Sequence, residues 1–97
     1  MAHIIIAGTG SCENPQHSNS GHAAKICALV RGQGHTTWRL GHVVPGHIVD
    51  EVVATQAREG DMLIFATFGK TASEYSRHDR DMLAFMIDEG KRVLRVG

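Results

Sequence analysis

The sequence predicts an α/β fold: a three-layer Rossmann-like sandwich on a four-stranded parallel sheet, strand order 2-1-3-4. Three observations predict it. Residues 62–66, MLIFA, form an apolar run with no alternation, bounded by Gly60 and Asp61 before it and Gly69 after it, the pattern of a strand buried on both faces. A second such run, Ile4, Ile5 and Ile6, opens the chain and ends in the turn Gly8, Thr9, Gly10, Ser11. Between and after these runs, segments of helical apolar spacing alternate with short β-branched ones. Strand-helix alternation with right-handed crossovers gives a parallel sheet with helices on both faces.

The elements follow in order. Residues 3–7 are the first strand. Residues 11–20 are polar and turn-forming, with no apolar periodicity, and read as a long exposed loop. Ala23, Ala24, Cys27, Ala28 and Val30 fit a helix over 21–31, with Ser20 or Asn19 as N-cap and Gly32 or Gly34 as the stop. Residues 35–40 carry β-branched and aromatic side chains and are assigned to an edge strand. Ile48, Val49, Val52, Val53 and Ala57 draw a helical stripe within 43–58, with Pro45 near its first turn. The apolar strand 62–66 comes next. Ser76 and Asp79 resemble a capping box with Asp in place of Glu, opening a helix whose buried face is Met82, Leu83, Phe85, Met86 and Ile87 and which Gly90 stops. Residues 92–96 are the last strand.

At 97 residues this is one domain, 1–97, with room for a single core. Ten basic residues balance ten acidic ones, so no field recruits nucleic acid or an anionic membrane, and any anion site must be local. No apolar run approaches the ~18 residues of a membrane span, and the first residues lack a signal peptide's basic flank and apolar stretch. A cytoplasmic protein is the expectation. Cys12 and Cys27 lack metal-type spacing and are read as reduced thiols.

The order 2-1-3-4 puts a switch point between strands one and three, where open α/β sheets bind ligands at the carboxyl ends of their strands. Two loops meet there. Gly8, Thr9, Gly10 and Ser11, with Ser20 near the start of the first helix, offer backbone N–H groups and hydroxyls to an anion. Thr67, Phe68, Gly69, Lys70 and Thr71 follow the central strand and supply hydroxyls, one cation and an aromatic ring suited to a flat ligand. The first turn lacks the third glycine of a dinucleotide fingerprint, and Gly69, Lys70 and Thr71 lack the leading glycine of a P-loop. Glu13, Glu74 and Asp79 are the carboxylates nearest the crevice. Glu74 is the candidate general base, and His47 a second acid-base candidate beside the end of strand two. Seven histidines stand out, but no helical His pair or Cys pair marks a metal site, and no cofactor is implied.

Residues 60–74, GDMLIFATFGKTASE, followed by a helix and by EGKRVLRV at 89–96, resemble the sugar isomerase (SIS) domain. Residues 4–11 and the GHAA segment at 21–24 are similar to that family's opening strand, glycine turn and alanine-rich helix. The resemblance implies a phosphorylated sugar or similar ligand held by the central loop, with Gly69 and Thr71 matching the motif. Ala66 and Phe68 stand where the family has two phosphate-binding serines, which moves the anion contact toward Lys70 or the histidine-bearing loop 12–19.

Three functions remain open on these residues. The first is binding of a sugar phosphate or nucleotide between the two loops without transforming it, as in a protein that sequesters a nucleotide signal. The second is a small isomerase or phosphoester-acting enzyme using Glu74 or a histidine. The third is a non-catalytic assembly module, since exposed strands at both sheet edges favour a homodimer or higher homo-oligomer.

Overall fold

The computed structural model describes residues 1–8, 20–40, 49–66, 75 and 77–96. The elements alternate as β1 (His3–Ala7), α1 (Ser20–Gly32), β2 (Thr36–Arg39), α2 (Val49–Glu59), β3 (Met62–Ala66), α3 (Arg77–Asp88) and β4 (Arg92–Val96). The four strands form one sheet in the order β2-β1-β3-β4, every pair parallel. This is the three-layer Rossmann-like sandwich that the apolar runs predict. Strands β1, β3 and β4 occupy the expected residues, and β2 is shorter at both ends. Residues 43–48 of the expected second helix lie outside the described residues.

Crossover handedness distributes the helices. α1 leads from β1 outward to β2, whereas α2 and α3 run the other way across the sheet, so right-handed connections put α1 on one face and α2 with α3 on the other. The core divides accordingly. Ile5, Ala7, Leu63 and Phe65 pack with Val53 and Ala57 of α2 and Met82 and Met86 of α3. Ile4, Ile6 and Ile64 point the opposite way, toward Cys27 of α1. Alternate residues of one strand therefore serve two cores, which is why neither central run alternates in polarity.

Left-handed glycines end two helices. Gly90, at φ 70°, closes α3: its N–H donates to the Ile87 carbonyl at 3.0 Å and the Lys91 N–H to the Met86 carbonyl at 2.9 Å, the paired bonds of a Schellman motif. Gly34, at φ 89°, follows α1, its N–H donating to the Arg31 carbonyl at 3.0 Å.

The amino end of the sheet is tied shut by polar contacts. The Asp61 carboxylate accepts the His3 backbone N–H at 2.8 Å, while His3 Nε2 donates to Gln56 Oε1 at 2.7 Å and Nδ1 lies 2.8 Å from Thr36 Oγ1. One ring thus joins β1, β2 and α2. His35 Nδ1 accepts the Ala2 N–H at 3.0 Å, and Lys91 Nζ donates to the carbonyls of Arg58 and Gly60 at 3.0 and 2.6 Å. The carboxyl ends of the strands are, by contrast, the ends at which open α/β sheets bind ligands.

Gly60 is a packing glycine: a Cβ there would lie 2.6 Å from Ile5 Cγ1 and 3.0 Å from the Gln56 carbonyl oxygen. Ile5 is fully buried and has nowhere to go. Gly60→Ala is expected to lose about 1–3 kcal/mol to overpacking. Gly90→Ala, with open space around the new methyl, is expected to lose about 1 kcal/mol to the left-handed backbone alone. Urea denaturation of the two variants checks both figures, and an unchanged midpoint for Gly60→Ala contradicts the packing.

Candidate functional site

The switch point lies between β1 and β3. Ala7 is in register with Phe65, so Gly8 comes alongside Ala66 as both strands end. Gly8 has φ +86° and is buried, and a Cβ on it would stand 3.2 Å from the Ala66 carbonyl oxygen and 3.3 Å from its nitrogen. Two constraints therefore select glycine here: the left-handed backbone and the contact with β3.

Asp79, in the first turn of α3, completes this junction. Its Oδ1 accepts the Gly8 backbone N–H at 2.9 Å across 71 positions of sequence. The residue is 1% exposed, the one buried charged side chain among the described residues. Its position follows from helical periodicity: Asp79, Met82 and Met86 are spaced i, i+3, i+7 and all three are buried on the stripe that faces the sheet. The Gly8 N–H is thus engaged within the protein, and Gly8 contributes to the turn through shape.

Cationic side chains stand at the same end of the sheet. Arg39, half-buried, closes β2 in register with Ile6. Arg95, exposed, lies on β4 in register with Phe65, and its guanidinium donates to the Tyr75 hydroxyl at 3.1 Å. Tyr75 meets Phe65 edge to face, centroids 5.1 Å apart at 90°. By strand alternation Arg39 shares the α1 face with Ile6, and Arg95 the α3 face with Phe65. Both sides of the sheet thereby carry positive charge toward the carboxyl end.

Of the expected site residues, Gly8 sits at the junction and Ser20 opens α1. Thr9, Gly10, Ser11, Thr67, Phe68, Gly69, Lys70, Thr71, Glu74 and His47 lie outside the described residues, as does the loop 12–19. The adjacency of β1 and β3 brings the bases of the two expected loops together. Asp79 was legible as a capping and crevice carboxylate; its burial was signalled by its place on the Met82 and Met86 stripe. Arg39, Tyr75 and Arg95 carry no motif; strand register brings the two arginines to this end, and contact with Phe65 and Arg95 brings Tyr75. His78 lies beside Arg77, with 3.0 Å between its Nε2 and the guanidinium. Among the described residues, no group of three His, Cys, Asp or Glu is arranged to hold a metal ion, and no helix is long and apolar enough to cross a membrane.

The fold and its switch point define a Rossmann-like α/β protein. No protein-family model matches the chain, and no curated protein matches it by sequence. Among solved structures, it is similar to a 2-desoxiribosyltransferase from Leishmania mexicana, with a TM-score of 0.73 and 18% identity over 98% of this chain. The likeness shows the fold. This chain spans 63% of that protein's length.

Gly8→Ala combines left-handed strain with a tight backbone contact and is expected to lose about 2–3 kcal/mol, more than Gly90→Ala. Thermal and urea unfolding measure the difference; equal losses would contradict the contact with Ala66.

Proposed function

We propose that the chain binds a phosphorylated small molecule of the nucleotide class in the crevice between the loops that follow β1 and β3. The observation that carries this reading is the junction of Gly8, Ala66 and Asp79, where two loop bases from opposite halves of the chain meet at a topological switch point. Arg39 and Arg95 stand at this end of the sheet and are candidate partners for an anion. Lys70, Thr71, Thr67 and the turn of Thr9, Gly10 and Ser11 are the proposed phosphate contacts, and Phe68 the proposed platform for a base. The structural neighbour's description as a deoxyribosyltransferase supports a nucleoside-bearing ligand over a bare sugar phosphate. The resemblance to the sugar isomerase domain rests on its short motifs, and the sugar phosphate stands as the competing ligand. A reaction at this site would use Glu74 and His47 as its acid and base.

One observation favours self-assembly alongside binding. Among the described residues α1 is the helix on its face of the sheet, and Leu29 at 71% and Leu94 at 48% exposure stand open there, Leu94 on the edge strand β4. We propose a homo-oligomer that uses this edge.

A thermal-shift series with AMP, dAMP and ribose 5-phosphate is expected to stabilise the chain with the nucleotides, by ~2.7 kcal/mol at a hundred times the dissociation constant. Lys70→Ala and Thr71→Ala are expected to weaken the shift, and ordinary affinity in both variants removes the central loop from the site. Glu74→Gln and His47→Ala are expected to leave binding intact and to abolish any turnover. Light scattering behind size exclusion is expected to give a dimer or larger, shifted toward monomer by Leu94→Lys; a monomer at every concentration rejects assembly.

A further inference from the structure

We infer that Asp79 is the positioning residue of the proposed site: its carboxyl group holds Gly8, the first residue after β1, in place at the base of that site. This goes deeper into the site proposed above and rests on that reading for its ligand, but the turn and the bond stand apart from it.

Gly8 lies against the backbone of Ala66, and its N–H is buried there. A buried backbone N–H needs an acceptor. No strand supplies one, because β1 ends at Ala7 and β3 at Ala66. Asp79 Oδ1 does, at 2.9 Å, from a helix that packs on the same core through Met82 and Met86. The carboxyl is therefore fixed by α3, and through it the first residue of the turn is fixed to α3 as well. Gly8 is thus held in place by a side chain that is 1% exposed and out of a ligand's reach. Asp79 acts on a ligand through Gly8, and a conservative replacement that keeps an oxygen acceptor is expected to preserve the effect.

Amide hydrogen exchange in the 15N-labelled full chain tests this. In the wild type the Gly8 amide is expected to be protected. In Asp79→Ala it is expected to exchange at least about tenfold faster while Ile5 and Leu63 keep their protection. In Asp79→Asn, which retains the acceptor, protection returns to within about threefold of wild type. Unaltered Gly8 protection in Asp79→Ala, or equal loss in the Asn and Ala variants, overturns the inference. Should Asp79→Ala fail to fold, Asp79→Asn decides: the Gly8 amide resonance must move more than any other beyond two positions of residue 79, and a stationary resonance overturns the inference. AMP titration of the same three proteins gives the ligand readout, with affinity kept in the Asn variant and lost by about tenfold or more in the Ala variant. A wild type that ignores AMP overturns the nucleotide reading alone, because exchange at Gly8 decides the role of Asp79 without a ligand.

Discussion

Everything in this fold depends on a sheet that must be buried on both faces. Ile5, Ile6 and Leu63 are fully buried although they point in two directions, and each such side chain contributes about 1.5–3 kcal/mol by leaving water. A chain of 97 residues reaches that burial only by sending helices to both faces, and right-handed crossovers allow this only if the chain starts in the middle of the sheet and works outward both ways. The switch point between β1 and β3 is the geometric consequence.

The two ends of the sheet are then treated differently. At the amino end, His3, His35, Thr36, Gln56, Asp61 and Lys91 bond one another or nearby backbone and hold three strands and a helix together. At the carboxyl end, among the described residues, Asp79 accepts the Gly8 N–H and the Arg95 guanidinium donates to the Tyr75 hydroxyl. In open α/β sheets the carboxyl ends of the strands are the ends that present loops to ligands. Two of the seven histidines whose number suggested a site are used at the closed end as structural hydrogen-bonding groups, which accounts for part of that compositional excess.

The central strands were legible because their burial is written as unbroken apolar runs, and the helix ends because Gly34 and Gly90 occupy left-handed caps that other residues resist. The candidate site was legible only as two glycine-bearing loops. Gly60 looked like punctuation before a strand, yet it is glycine because Ile5, 55 positions earlier, leaves no room for a methyl group. Arg39 and Arg95 belong to no motif, since a residue's place at the end of a strand depends on register with a neighbour that the local sequence does not name.

The sequence by itself determined the class of fold, the strand order and the burial of its middle, because hydrophobic periodicity and crossover handedness are local or general rules that need no coordinates. Tertiary structure alone decided that Asp79 closes on Gly8, that one histidine ring joins three elements, and that two arginines stand on opposite faces at the carboxyl end of the sheet. Those pairings join residues far apart in the chain, and a contact of that kind exists only once hydrophobic burial has brought the elements together.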